Sequence, residues 1–168
     1  MQDEVFYKVT EMSSTIKLLV MDVDGTLTDG KINMGQSGEL FKSFDIKDGY
    51  GIAEILPAHG IVPAIITGRT SAIVENRARE LHITELYQGK HDKLDTMKAL
   101  MAKYGLKREQ VAYIGDDILD IVCMNECGLV GCPADSCREV KELAHYVCAN
   151  KGGEGAVREF IEYIINQS

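Results

Sequence analysis

The chain has 168 residues and a formal net charge of −8, from 18 Lys and Arg against 26 Asp and Glu. With 45% hydrophobic and 26% charged residues it has the composition of one globular domain, which excludes a disordered chain or a fibre. The acidic balance excludes capture of nucleic acid or an anionic membrane by bulk positive charge, and no apolar run reaches the roughly 18 residues of a membrane span.

The opening Met1-Gln2-Asp3-Glu4-Val5 lacks the basic start and apolar stretch of a signal peptide, so a cytoplasmic protein is expected. Residues 1 to 15 are polar and aperiodic and read as an N-terminal extension, which leaves a single domain over 16 to 168. Ile16 to Met21 is a nearly continuous apolar run, as in a buried parallel strand. Residues 30 to 44 carry two short segments about the turn Gly35-Gln36-Ser37-Gly38 and predict a β-hairpin. Further apolar runs follow at Ile61 to Ile66, Val111 to Ile114 and Gly128 to Gly131, with a weaker strand at Glu85 to Gln88. Helical spacing predicts helices over 49–58, 70–81, 91–104, 117–126, 136–144 and 154–166. Strands alternating with helices predict an α/β protein: a doubly wound, mostly parallel, Rossmann-like sheet with helices on both faces. The five cysteines, Cys123, Cys127, Cys132, Cys137 and Cys148, show no paired metal-ligand spacing and read as small buried apolar residues.

In open α/β sheets, ligands bind beyond the carboxyl ends of the strands. Those ends carry Asp22-Val23-Asp24-Gly25-Thr26, then Thr67-Gly68-Arg69, then Gly115-Asp116-Asp117 with Asp120 one turn on. Singly, Asp22 and Asp24 read as strand-end polar residues, Asp116 and Asp117 as a helix cap and Lys93 as a solvated lysine. Together they place several carboxylates on one rim, where they repel one another unless a cation lies between them. Oxygen donors select a hard ion, and Mg²⁺ beside a phosphate is the common arrangement. Neither a P-loop nor a G-x-G-x-x-G follows any strand, which argues against a nucleotide-binding protein.

Asp22-x-Asp24-Gly25-Thr26, Thr67, Lys93 and Gly115-Asp116-Asp117 resemble, in order, the four motifs of the haloacid dehalogenase superfamily of phosphohydrolases. Leu27-Thr28-Asp29-Gly30, Asp48-Gly49-Tyr50-Gly51, Ile65-Ile66-Thr67-Gly68-Arg69 and Gly152-Gly153-Glu154-Gly155-Ala156-Val157-Arg158-Glu159 resemble its branch of 3-deoxy-D-manno-octulosonate 8-phosphate phosphatases. Thr26 departs from that branch, where Val is usual. The resemblance implies Asp22 as nucleophile, Asp24 as acid and base, and Mg²⁺ held by Asp22, the Asp24 carbonyl and Asp116. Thr67 and Lys93 would hold phosphoryl oxygens, and Asp117 and Asp120 would orient the ligands or Lys93. The implied substrate is a phosphorylated sugar acid of lipopolysaccharide biosynthesis. The alternatives are a nine-carbon keto-deoxy sugar acid 9-phosphate or a non-catalytic phosphatase-like binding module, the latter disfavoured by the presence of Asp24, Lys93 and Asp116 together.

The intervals from Asp22 to Thr67 and from Thr67 to Lys93 leave no room for a cap domain, so another surface must close the site. The resemblance implies a homotetramer with sites at subunit interfaces. The apolar hairpin residues Ile32, Met34, Leu40, Phe41 and Phe44 fit that role, with core packing as the competing reading. Asp45, Ile46, Lys47, Asp48 and Gly49, with Gly68, Arg69 and Arg77, match expected substrate contacts, Arg suiting a carboxylate by bidentate geometry. The tail over residues 150–168 is expected as a glycine-rich segment and a covering helix, its glycines permitting close approach to a ligand.

Overall fold

Successive side chains of a strand point to opposite faces, so a strand apolar at every position must be covered on both sides. The structure, a computed structural model, describes residues 16 to 167, and the expected extension over 1 to 15 lies outside them. β1 (Leu18–Met21) is wholly buried, with Leu18 and Val20 in one apolar layer and Leu19 and Met21 in the other. It is flanked by β4 (Val62–Ile66) and β6 (Val111–Ile114), and the sheet continues to β5 (Glu85–Tyr87) on one side and to β7 (Leu129–Cys132) and β8 (Tyr146–Val147) on the other. The order is β5-β4-β1-β6-β7-β8, and every pairing is parallel. The chain therefore leaves β1 in opposite directions, through β4 and through β6, and the crevice at that reversal lies beyond the end of β1.

The helices are α1 (Ile46–Tyr50), α2 (Leu56–Ala58), α3 (Ala72–Glu80), α4 (Lys93–Tyr104), α5 (Ile121–Met124), α6 (Arg138–Leu143) and α7 (Ala156–Asn166). α7 buries Val157, Phe160, Ile161 and Ile164 with Ile52 and Leu56 on one face, while Met97 and Leu100 of α4 join Met124 and Val140 on the other. The hairpin forms as β2 (Asn33–Gly35) and β3 (Gly38–Phe41), antiparallel and outside the main sheet. All five cysteines are free and four of them are buried. Among the described residues, no helix is long and apolar enough to cross a membrane.

Three elements differ from the expectation. The helix expected over 49–58 begins at Ile46 because Asp45 caps it, its carboxylate accepting the amides of Lys47 and Asp48 at 2.7 and 3.3 Å. It then passes through a π-helical segment, Gly51–Ile55, before α2. The helix expected over 117–126 is divided into a 3₁₀ turn, Ile118–Asp120, and the short α5. The division follows from Asp120, whose carboxylate folds back to accept the amides of Asp116 and Asp117 at 3.1 and 3.2 Å. β8 has only two residues and carries no periodic signal.

Candidate active site

Asp22 follows β1 directly, and its amide donates to the carbonyl of Ile114 on β6 at 3.1 Å, which carries the sheet pairing one residue past the strand. The chain then turns sharply: the amides of Thr26, Leu27 and Thr28 all point to the carbonyl of Val23. Gly25 makes this possible at φ +90°, and a Cβ there would lie 2.0 Å from Asp116 Oδ2. Glycine thus lets the turn lie directly against Asp116, and Thr26 Oγ1 donates to Asp116 Oδ1 at 3.2 Å.

Lys93, at the start of α4, reaches back beneath this loop. Its ammonium lies 3.0 Å from Asp22 Oδ1 and 2.9 Å from Asp120 Oδ1. Asp120 is fully buried, and its Oδ1 also accepts the Tyr113 hydroxyl at 2.6 Å. With two amides on its other oxygen, Asp120 is held by four donors and serves as the fixed point of the cluster. Thr67 is buried at the end of β4, where the Thr67 amide donates to Tyr87 on β5 and the Thr67 carbonyl accepts from Lys90.

Carboxylate oxygens of Asp22, Asp116 and Asp120 lie within 4.8 Å of one another. Burial, reinforced by the charge of Asp120, pushes Asp22 up to about 6 despite the adjacent ammonium. Burial and the charges of Asp22 and Asp120 push Asp116 up to about 8. Burial pulls Lys93 down, but Asp22 and Asp120 outweigh it and hold the ammonium above the ordinary lysine range. One ammonium among three carboxylates leaves an excess of negative charge on oxygen donors alone, and a hard divalent cation such as Mg²⁺ fits that set. Since Asp120 is saturated by protein donors, Asp22 and Asp116 are the carboxylates left to face an ion.

Asp22, Asp24, Thr67, Gly68, Arg69 and Lys93 line one open cleft of about 260 Å³, with Asp117 and Asp120 on its wall. Asp117, expected to orient ligands or Lys93, uses its carboxylate to accept the amide of Ile118 at 2.8 Å. Lys90, His91 and Leu119 also line the cleft, and the sequence reading did not single them out. Lys90 and His91 stand just before Lys93, a proximity that could have marked them. Tyr113 was missed because it sits inside an apolar run, although an ionisable residue in a central strand is itself a signal.

Two groups of expected residues lie outside this cleft within the single chain. Asp45, Ile46, Lys47, Asp48, Gly49 and Arg77 do not line this cleft. Asp45 caps α1, Asp48 Oδ1 accepts the amide of Arg158 at 2.8 Å, and Arg77 lies over the Phe44 ring while bonding Glu80 and the Asp45 carbonyl. The tail glycines lie against backbone: a Cβ on Gly152 would lie 1.9 Å from the carbonyl oxygen of Gly25. The amide of Gly153 donates to Thr26 at 3.1 Å, so the tail braces the loop that carries Asp22 and Asp24.

Comparison with known proteins agrees with this fold. Residues 65–161 match the sequence profile of the haloacid dehalogenase-like hydrolases. The chain is 46% identical over 157 residues to the 3-deoxy-D-manno-octulosonate 8-phosphate phosphatase KdsC of Yersinia pestis, covering 94% of this chain and 83% of that one. It superposes with a TM-score of 0.91 at 38% identity on the phosphatase of that name from Moraxella catarrhalis, solved with magnesium, phosphate and KDO, covering 100% of this chain and 94% of that one. The cobalt-bound deoxy-D-mannose-octulosonate 8-phosphate phosphatase of Haemophilus influenzae superposes with a TM-score of 0.89 at 37% identity, covering 93% and 91%.

Proposed function

The chain belongs to the haloacid dehalogenase-like hydrolases, within the family of 3-deoxy-D-manno-octulosonate 8-phosphate phosphatases, and from that membership we propose that it hydrolyses 3-deoxy-D-manno-octulosonate 8-phosphate to the free sugar acid and phosphate in lipopolysaccharide biosynthesis. The observation that carries the reading is the placement of Lys93 against both Asp22 and Asp120, beside the acidic cluster and inside the cleft.

In this mechanism an Asp22 carboxylate oxygen attacks phosphorus. As the Asp22–phosphorus bond forms, the bond to the sugar oxygen breaks and that oxygen takes a proton from Asp24. Asp24, now a carboxylate, removes a proton from the water that attacks the aspartyl-phosphate. Phosphate leaves, Asp22 is regenerated as a carboxylate and Asp24 is again an acid. Asp22, Asp116 and the Asp24 carbonyl would hold Mg²⁺, which supplies positive charge against the phosphoryl oxygens. Lys93 and the Thr67 hydroxyl bind further phosphoryl oxygens, and Asp120 keeps the Lys93 ammonium aimed at the site.

Gly68 and Arg69 line the cleft, and the Arg69 guanidinium suits a sugar carboxylate by bidentate geometry. Ile32, Met34, Leu40 and Phe41 are 41 to 64% exposed, which supports a homotetramer closed through its hairpins. Residues 45 to 49 and Arg77 lie outside this cleft, and Ile46 and Lys47 are exposed, so in this reading they contact substrate in a neighbouring subunit's cleft.

The test is phosphate release with Mg²⁺ from the eight-carbon and nine-carbon keto-sugar acid phosphates beside simple sugar phosphates, with Asp22→Asn as control. Preference for the eight-carbon acid that disappears in Asp22→Asn is expected. Preference for the nine-carbon acid would keep the chemistry and change the substrate, and no release dependent on Asp22 would leave a binding module.

A further inference from the structure

The hairpin does more than present an apolar surface, because its last residues send a lysine inward. Lys42, just past β3, has a side chain only 1% exposed, and its ammonium lies 2.6 Å from Asp24 Oδ1. The same ammonium lies 2.8 Å from Glu39 Oε1. Glu39 is held in turn, since the Ser71 hydroxyl donates to its Oε2 at 2.7 Å. Ser71 is the residue that precedes α3 and has the side chain of a helix cap, yet it makes no capping bond to α3. Its hydroxyl is spent on Glu39 instead, while its amide donates to Gln88 at 2.9 Å.

The result is a chain of contacts from Gln88 beyond β5, through Ser71 and Glu39, to Lys42 and Asp24. Asp24 follows no strand pairing of its own and stands on a sharp turn, so its backbone alone does not fix its carboxylate. A buried ammonium between two carboxylates is the strongest orienting contact available to it, because burying that charge unpaired would be costly.

We propose that Lys42 is a positioning residue for Asp24, holding one carboxylate oxygen so that the other meets the oxygen of the departing sugar. The proposal rests on the acid and base reading of Asp24 given above. Lys42 does not itself touch phosphate. It fixes the direction in which Asp24 delivers its proton as the phosphorus–oxygen bond breaks, and from which Asp24 later takes a proton from water. Glu39 and Ser71 hold Lys42 in that place.

Proton delivery matters in proportion to how poorly the departing group leaves, and this separates positioning from general structural damage. A sugar alkoxide needs the proton, whereas the phenolate of p-nitrophenyl phosphate leaves without it. The experiment compares kcat/KM, which reports departure of the leaving group and not the later hydrolysis of the aspartyl-phosphate common to both substrates, for the wild type, Asp24→Asn, Lys42→Met, Lys42→Arg and Glu39→Gln on an alkyl sugar phosphate and on p-nitrophenyl phosphate, with Mg²⁺. Misplacement of a catalytic group by about 1 Å costs on the order of a hundredfold, so Lys42→Met is expected to lose about that in kcat/KM on the sugar phosphate. On p-nitrophenyl phosphate it is expected to lose less than about threefold, which also shows that the variant folds. Lys42→Arg, which keeps the cation, and Glu39→Gln are expected to show the same selectivity at smaller size. Combining Lys42→Met with Asp24→Asn is expected to add no further loss, since both remove one function.

Equal losses on the two substrates by Lys42→Met and Lys42→Arg, or full additivity with Asp24→Asn, would overturn the positioning role. If Asp24→Asn discriminates between the substrates and the Lys42 variants do not, only this proposal fails. If Asp24→Asn itself shows no discrimination, the acid and base reading of Asp24 fails with it.

Discussion

Lys93 Nζ lies 3.0 Å from Asp22 Oδ1 across 71 residues of sequence, and the same ammonium is 2.9 Å from Asp120 Oδ1. The three charges form a buried bridge between the end of β1 and the turn after β6. Because Lys93 is the ammonium between these two carboxylates, its removal leaves two buried anions facing each other.

Lys93→Met is therefore expected to lower kcat by about 10²- to 10³-fold, the usual cost of removing one electrostatic contact to a transition state. It should also lower the urea midpoint, with a loss of about 3 to 5 kcal/mol for breaking a buried charge pair. Lys93→Arg should not restore kcat, because a planar guanidinium cannot replace a compact ammonium that points at two carboxylates at once.

Mg²⁺ should protect the fold, and more so at high pH. Without metal, Asp22 titrates near 6 and Asp116 near 8 in the folded chain, both above the unfolded value of 3.8. A carboxyl with a raised folded pKa binds more protons folded than unfolded, so the metal-free protein loses stability as pH rises from about 4 towards about 8. A divalent cation needs those same groups ionised. The expected result is a larger rise in Tm on adding Mg²⁺ at pH 8 than at pH 5, the stabilisation approaching about 2.7 kcal/mol when Mg²⁺ is about 100-fold above its Kd. Equal shifts at both pH values would count against an acidic metal site.

Asp48 makes a separate contribution with the same sign. Burial, only partly offset by the Arg158 amide, pushes its carboxyl up to about 6, and Oδ2 has no hydrogen-bond partner. Stability from this group is complete below the unfolded value and is lost as pH rises through about 6. Asp48→Asn keeps an acceptor for Arg158 and removes the charge. Relative to this variant the wild type should lose roughly 3 kcal/mol between about pH 4 and about pH 7, measured by urea unfolding without metal.

Gly152→Ala should impair catalysis from outside the cleft. The added methyl would enter the carbonyl of Gly25, and backbone cannot yield as a side chain can. Overpacking of this kind costs about 1 to 3 kcal/mol, and the loop carrying Asp22 and Asp24 would shift with it. Loss of at least about tenfold in kcat is expected, a small displacement at the reacting groups being sufficient. Gly60→Ala is a control: Gly60 also has a positive φ but meets nothing within 4 Å, so activity should be kept.

Met34→Lys with Leu40→Lys tests closure by a second copy. Both residues are more than 60% exposed on the hairpin, so the isolated fold should tolerate charge there. Light scattering is expected to show dissociation, together with a higher KM for the sugar acid phosphate. An unchanged mass would remove the hairpins from the interface.

The strand-end residues were legible because the apolar runs locate the strands, and a parallel sheet places its ligands at one rim. Asp22, Asp24 and Thr67 reach one cleft for that reason, and Lys93 joins them from the start of α4. Lys42 was not legible, since nothing in a Lys within a hairpin distinguishes a solvated side chain from one 1% exposed between two carboxylates. The start of the helix at Ile46 was not legible from the apolar spacing over 49–58, because it is set by the Asp45 cap on the amides of Lys47 and Asp48. The contact of Gly152 with Gly25 was not legible either, because only the folded chain brings the two together.

That last contact sets an order of events in synthesis. The loop holding Asp22 and Asp24 is made among the first residues of the domain, yet its support at Gly152 and Gly153 leaves the ribosome more than a hundred residues later. A growing chain that has already paired β1, β4 and β6 still lacks the strut behind its reactive loop. The reactive loop thus has its full support only once Gly152 and Gly153 lie against it, and a chain clipped before the tail would lose that strut together with α7, which covers one face of the sheet.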